Sequence, residues 1–489
     1  MRNLILARPY STTRMKLVVT PKPEKDEGFI SYLVRLTEAN AYDTPSWILS
    51  LSDIDYMELQ WTFLFLFDSS KGLEKLAQLT DTALSNLSAL SYLPPDSSQG
   101  ETSEHEYNFY GAFLNRSIIR PHCPKVCPKC MKESGYARRV WDCSLVTACP
   151  IHKCMLFDRC PKCRRQIRAI RKSVSICTCG CDWSEIEPKS ITAGEMSVSR
   201  RVNDLCKRLP NEKGSAHSKN PLNTLSLRDF IVAITFVARC KLKISWATGR
   251  PSQSIKLSNS DLHELYAHAY SVFDNWPINF FQFLKNQSKG PVRLQPYDGK
   301  LETALKREFG SVYECLYQNL EGSQFDFLRE AFTQFLTDRI YSQSATVTEN
   351  SSASTSTESA KYVSLADARR SLKITNAALF DFIRAGEIRC AIINGRRGAE
   401  FAVRAIDIER VKCEFDESMT CRDLAKQLGT DCETIRELTR NKLIKPRARR
   451  STDAFNTLRF KRGNPVAIDC ESKRISRVPR EGLIGNIEV

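Results

Sequence analysis

The sequence predicts a mainly α, multi-domain protein in which helix-turn-helix units accompany a central loop-rich double zinc-finger domain, with small β wings. Three observations predict it. Apolar residues recur every three to four positions over much of the chain, eleven of the 19 cysteines fall between Cys123 and Cys181, and one helical segment near the C-terminus occurs twice. At 489 residues the chain is long enough for about three domains of roughly 150 residues each. Its 72 Lys plus Arg against 56 Asp plus Glu leave a net charge of +16, an excess that suits a polyanionic partner such as nucleic acid.

The remaining eight cysteines (Cys206, Cys240, Cys315, Cys390, Cys413, Cys421, Cys432 and Cys470) are scattered singly. A clustered set beside scattered thiols fits a reducing compartment better than a disulfide framework. No apolar run approaches the roughly 18 to 20 residues that span a bilayer, and the longest candidate, residues 231–237, is cut by Thr235 and closed by Arg239. The expectation is a soluble protein that is not associated with a membrane. Residues 1–14 carry arginines and no acid, the composition of an organellar transit peptide, but an upstream start codon with the true start at Met15 gives the same pattern.

Five boundaries follow from composition. Residues 15–93 form an N-terminal helical part, in which Phe29, Leu33, Leu36, Ile30 and Val34 lie at helical spacing after the extended Pro21 and Pro23. Residues 73–93 read as two short helices around residues 80–82, which is either a helix-turn-helix that reads DNA or two amphipathic helices packed on a core. Residues 107–185 hold the cysteine cluster, between polar breaks at 94–106 and 210–221. Residues 186–341 form a helical scaffold with periodic Phe230, Ile234 and Val237 and later Leu301, Leu305 and Phe309. His263 and His268 stand five apart and share no helical face, so they are core or surface histidines. Residues 342–360 are a Ser/Thr-rich linker with almost nothing apolar to bury.

Beyond the linker an internal repeat aligns without gaps at a shift of 56 residues, residues 364–388 over 420–444. Each copy opens on a Ser or Thr N-cap, runs an amphipathic helix to Leu372 or Leu428, turns, and starts a second helix carrying Leu379 and Phe382 or Ile435 and Leu438. The first unit, 361–412, is winged: residues 388–403 alternate around Asn394 and Gly395, with Arg396 and Arg397 at the tip. The second unit, 413–489, is expected to end in a basic tail of Lys442, Lys445, Arg447, Arg449, Arg450, Arg459, Lys461 and Arg462, offset only by Asp453. In the second helices Arg384, Arg436 and Arg440 are the side chains expected to reach DNA, although Asp381, Asp431, Glu433 and Glu437 share those helices and repel phosphates.

The cysteine cluster has metal-ligand spacing. Cys127, Cys130, Cys149 and His152 read C-x2-C-x18-C-x2-H, and seven residues later Cys160 and Cys163 pair with Cys177 and Cys179. Each tight turn points two donors at one spot, and repeated x2 pairs have no purpose in a set of free buried thiols. Two structural Zn2+ ions are expected, because each shell is complete at four donors and leaves no open position for chemistry. Cys181 stands as an alternative to Cys177 or Cys179, and His122 and Cys123 lie close enough in sequence to compete at the first site. There is no phosphate loop, nucleophile elbow or H-E-x-x-H helix, so no enzyme is expected.

The ordered combination of residues 28–42 (GFISYLVRLTEANAY), residues 126–163 with their CPKC, Gly135, Tyr136, Trp141, CPIH, Leu156 and second CPKC, and residues 177–183 (CTCGCDW) resembles the TniQ/TnsD family of target-selection proteins from Tn7-like transposons. The resemblance covers roughly residues 15–185. It departs at Glu27-Gly28, where the family usually has Glu-Ser, and at Cys181, where an aromatic is common. It implies a non-catalytic adaptor that recruits an AAA+ ATPase transposition regulator to the insertion site. Members of such a family either bind an attachment site through C-terminal helix-turn-helix domains or dock, as dimers, on a CRISPR effector (Cascade) complex that reads sequence by guide-RNA pairing. The competing reading of the residues is a zinc-containing, sequence-specific transcriptional regulator unrelated to transposition.

Overall fold

The structure, a computed structural model, describes residues 16–54, 70–92, 106–207, 220–242, 257–290, 301–344, 362–395, 398–441, 443–444, 448–450 and 457–460. It is mainly helical with small antiparallel sheets, and none of its described helices is long and apolar enough to cross a membrane. The chain forms two compact units, residues 1–287 with 322–325 and residues 288–321 with 326–489.

In the first unit, α1 (Phe29–Ala39) buries Phe29, Ile30, Tyr32, Leu33, Val34 and Leu36, as its spacing predicts. It is anchored at its start. Buried Glu27 accepts from Ser31 Oγ at 2.9 Å and from Arg35 Nη1 at 2.6 Å, while Gly28 N donates to Ala137 O at 3.0 Å. Then come α2 (Ser46–Leu51), α3 (Ser70–Thr80) and α4 (Leu84–Leu90), the last two joined through Asp81 in the left-handed region at φ 51°. A hairpin of β1 (Glu106–Phe109) and β2 (Ala112–Asn115) leads into α5 (Pro128–Ser134) and a second small hairpin, β3 (Ala148–Cys149) with β4 (Cys154–Met155).

Helices α6 (Ser197–Lys207), α7 (Leu227–Leu242), α8 (Asn259–Ser271) and α9 (Ile278–Gln287) complete this unit. They clasp the small hairpin through its backbone. Ser199 Oγ accepts from Thr147 N at 3.1 Å and Ala148 N at 3.2 Å, and Asn259 Nδ2 donates to Thr147 O at 2.8 Å and Leu156 O at 2.6 Å. Buried polar groups satisfied in this way fix the hairpin's position where strands of two residues cannot fix it alone. His263 is buried and hydrogen-bonds Thr147 Oγ1 at 2.9 Å, so it is a core histidine.

The second unit opens with α10 (Leu301–Phe309), α11 (Ser311–Glu314) running into a π-helical turn over Cys315–Asn319, and α12 (Asp326–Ser344). Buried Glu308 is held by a two-armed pairing with Arg339 at 2.6 and 3.1 Å. A sheet in the order β5 (Tyr362–Ser364), β7 (Gly398–Arg404), β6 (Cys390–Gly395) frames α13 (Leu365–Leu372) and α14 (Asn376–Arg384), with α15 (Ala405–Asp416) closing the core. The edge of β6 is covered. Thr337 Oγ1 on α12 takes the Ile392 N–H at 3.0 Å, so α12 packs on the edge that would otherwise offer unpaired backbone.

The same plan recurs with β8 (Met419–Thr420), α16 (Cys421–Gln427), α17 (Cys432–Arg440), β9 (Ala448–Arg450) and β10 (Thr457–Phe460), in the order β8-β10-β9. Here the structure departs from the expected basic tail. Residues 448–450 and 457–460 form a second wing, with Leu458 opposite Arg449 and Phe460 opposite Met419. The helical span expected over residues 186–341 is divided between the units, because α10 to α12 pack against the first wing. Residues 1–14, most of the breaks at 94–106 and 210–221, and linker residues 345–360 lie outside the described residues, while 342–344 end α12.

Candidate metal centres and nucleic-acid interface

Two sets of four donors converge in the first unit. Cys127, Cys130, Cys149 and His152 form one and Cys160, Cys163, Cys177 and Cys179 the other, and within each set all donor atoms lie within 4.8 Å of one another. Local chain geometry explains how. Cys127 caps α5 with Pro128 at its first turn, so Cys130 returns to the same side one turn later. Cys149 ends β3, and Lys153, in the left-handed region at φ 50°, donates to Cys149 O at 3.0 Å and brings His152 inward.

In the second set Arg164, at φ 61°, donates to Cys160 O at 2.8 Å, and Gly180, at φ 79°, donates to Cys177 O at 2.8 Å. Both knuckles end on a left-handed residue after the donor pair, and only at Gly180 is that residue a glycine. Cys181 is not among the converging donors, and neither are His122 and Cys123, the latter accepting from Gln166 Nε2 at 3.8 Å.

The distances test the fit to a metal. Zinc–sulfur bonds of about 2.3 Å at tetrahedral angles give sulfur–sulfur edges of about 3.8 Å. Cys130 and Cys149 sulfurs are 3.7 Å apart, Cys160 and Cys179 3.8 Å, and Cys163 and Cys177 3.8 Å. His152 Nδ1 lies 3.4, 3.3 and 3.6 Å from the sulfurs of Cys127, Cys130 and Cys149, close to the shorter nitrogen–sulfur edge of about 3.5 Å that the same bonds give. Both clusters can therefore hold metal ions.

The surroundings prepare them. His152 Nε2 lies 2.8 Å from Glu133 Oε2, the outer carboxylate that fixes which ring nitrogen faces inward. The Cys149 thiol is pushed far down because Cys127 and Cys130 hydrogen-bond to it. Burial opposes ionisation of Cys160, but hydrogen bonds from the Cys163 backbone and Trp183 bring it down to about 6. Cys127, Cys130 and Cys177 are pushed the other way, so within each set one thiol gives up its proton before its neighbours.

Sequence reasoning missed several polar residues in and against the loop between Cys130 and Cys149. Lys125 is buried, and its Nζ donates to Cys143 O at 2.8 Å and Val146 O at 2.6 Å, holding the loop between the two ligand pairs. Burial pushes its pKa down to about 8. Asp142 accepts from Tyr92 Oη at 2.5 Å, and burial pushes it up to about 6. Arg139 stacks over both Tyr92 and Tyr110 at 4.9 Å. Nothing in the one-letter sequence separates this lysine or aspartate from the many exposed ones.

In the second unit the expected DNA-facing residues divide. The two copies share their caps: Ser364 accepts from Asp367 N and Thr420 from Asp423 N, then Thr375 from Ala378 N and Asp431 from Thr434 N. Arg384 pairs with Asp381 at 3.2 Å, and Glu433 holds both Arg436 at 3.0 Å and Arg440 at 3.4 Å. Arg449 and Arg450 lie on β9 and Arg459 on β10, which puts all three on the second wing. Arg396, Arg397, Lys442, Lys445, Arg447, Lys461 and Arg462 lie outside the described residues.

The first wing is engaged within its own unit. Asn394 Oδ1 accepts from Tyr317 Oη at 2.7 Å, and a Cβ at Gly398 would come within 2.4 Å of Tyr313 Oη. In the first unit the α3–α4 pair has the outline of a helix-turn-helix, but α4 (LSNLSAL) carries no basic residue and buries Leu87 and Leu90. That favours packing over phosphate contact.

Residues 18–156 match the TniQ family. The chain carries a TniQ domain. The match ends between the two donor sets, so the first centre lies inside the TniQ domain and the second just beyond it. The family points to target selection in Tn7-like transposition, and so to that machinery and to DNA. No curated protein matches the chain.

Proposed function

We propose that this chain is a non-catalytic target-selection adaptor of Tn7-like transposition, with two structural zinc ions, that recruits an AAA+ ATPase regulator to DNA. The observation that carries it is the TniQ domain, with a four-donor centre inside it, followed in the same chain by two winged helix-turn-helix units of one topology. Donor sets of three sulfurs with a nitrogen and of four sulfurs suit zinc, which holds both in tetrahedral geometry. Four protein donors at each centre leave no position for a reacting water.

Direct DNA binding falls to the second winged unit. Its wing carries Arg449, Arg450 and Arg459, whereas the first wing rests on Tyr313 and Tyr317. Phosphate contacts from such a wing supply affinity, and α17 in the major groove would supply selectivity. The exposed acids Asp381, Glu433 and Glu437 favour the second reading, in which these helices dock on a CRISPR effector complex that itself chooses the site. Both readings place the protein in the bacterial cytoplasm, and both accommodate a homodimer.

Binding of the full chain to labelled candidate and random duplexes across salt concentrations separates them. Direct reading predicts a sequence-selective complex above a salt-steep background. Unselective, salt-labile binding would transfer target choice to the effector complex. A regulator unrelated to transposition would bind selectively and yet fail to retain the ATPase.

A further inference from the structure

A further cysteine lies against the four donors of the first centre. Cys154 opens β4 directly opposite Cys149 in the β3–β4 ladder. Residues opposite one another in an antiparallel pair project to the same face, with Cβ atoms about 4.5–5.5 Å apart. The Cys154 sulfur accordingly lies on the side where Cys149 offers its own, 3.5 Å from Cys127 Sγ. That separation is within a few tenths of an ångström of a tetrahedral sulfur–sulfur edge.

Burial and competition point the same way. Cys154 is 1% exposed, and its sulfur abuts a member of the converging set. A cysteine serving only as a small apolar filler has no reason to abut that sulfur. Of the four converging donors, the three cysteines are buried and His152 is the one that is partly exposed. Its ring is positioned by Glu133, whose side chain is 60% exposed. His152 is therefore the donor most easily withdrawn, and Cys154 is the nearest replacement.

We propose that Cys154 is a reserve fourth ligand of this centre, able to take the position of His152 and convert a set of three thiolates and one imidazole into four thiolates. The inference rests on the reading that this cluster holds zinc. In the exchange the metal bond to His152 Nδ1 breaks, a bond to Cys154 Sγ forms, and the thiol proton leaves to water. Cys154 Sγ is not one of the four mutually close atoms, so the exchange requires side chains at the centre to rearrange. Thiolate is at least as good a zinc donor as imidazole, so the four-sulfur set is a stable alternative.

Zinc content of the full-length chain tests this. Wild type should carry two zinc ions per chain, one for each converging set, and fewer would sink the zinc reading itself. With two in wild type, His152→Ala and Cys154→Ser should each keep two, and the double variant should fall to one. A drop to one in His152→Ala alone, or two retained in the double variant, would overturn the exchange while leaving the zinc reading intact. Should His152→Ala yield no soluble chain, His152→Asp keeps a weak oxygen donor at the position. Loaded with cobalt, it should show stronger sulfur-to-metal charge-transfer absorption than wild type, and unchanged or weaker absorption would overturn the proposal.

Discussion

Cys179 and Cys181 are separated by one glycine, and only Cys179 joins the second donor set. Gly180 turns the chain in the left-handed region, and Cys177 N then donates to Cys181 O at 2.9 Å, so Cys181 closes the knuckle through its backbone. Cys179→Ser should lose one metal ion per chain, and Cys181→Ser should lose none. Metal analysis of the two proteins decides it. Asp142 gives a second prediction at this scale. Its pKa is raised by burial to about 6, from an unfolded value near 3.9, so the folded chain holds a proton that the unfolded chain releases between those values. A raised pKa adds stability that is complete below the unfolded value and is lost as pH rises through the folded one. Between pH 5 and 7 wild type should lose about 1 kcal/mol that Asp142→Asn does not lose. Urea midpoints of the zinc-saturated proteins measure the difference, and parallel pH profiles would contradict it.

Helix α17 sets a limit on the second winged unit, because Glu433 engages both arginines expected to reach DNA. Exposed pairs of this kind contribute about 0–1 kcal/mol to stability, so releasing the arginines costs the fold little. Glu433→Gln should tighten DNA binding several-fold and steepen its salt dependence, since two freed cations displace more counterions. An unchanged salt slope in filter or anisotropy binding would move α17 off the DNA. The helices of this unit were legible in the sequence, because Thr420 and Asp431 repeat the capping logic of Ser364 and Thr375 at the 56-residue shift. Its wing was not. Strand Ala448–Arg450 is three residues with two arginines, and the alternation in Thr457–Phe460 lasts only four residues, too short to stand out from the basic residues around it. The shift itself carried the signal, since β7 ends at Arg404 and β10 at Phe460, which differ by the same 56 residues.

Across the described residues, donor spacing located both converging sets because donors a few residues apart are a local pattern, whereas Cys154 abuts the first set, and Lys125 holds the loop between its donor pairs, through tertiary contacts that no spacing records. Unit boundaries were hidden for the same reason. The polar linker marks where the chain has little to bury, but it does not say that the helices before it pack on the wing after it. Tyr313, Leu316 and Phe332 are almost fully buried, and Thr337, Tyr313 and Tyr317 meet Ile392, Gly398 and Asn394. A chain ending at 360 would lose those partners while keeping the apolar side chains that meet them, and large exposed apolar patches drive association. A chain ending at 417 keeps every buried member of the first winged core, Ala368 to Phe415, and removes only the second winged unit. Residues 1–417 should therefore remain monodisperse, keep two metal ions and lose most DNA affinity, whereas residues 1–360 should aggregate. Size-exclusion chromatography with metal analysis of both truncations distinguishes them. A monodisperse 1–360 chain with an unchanged melt would show that α10 to α12 do not need the winged unit, and would restore the linker as the true boundary.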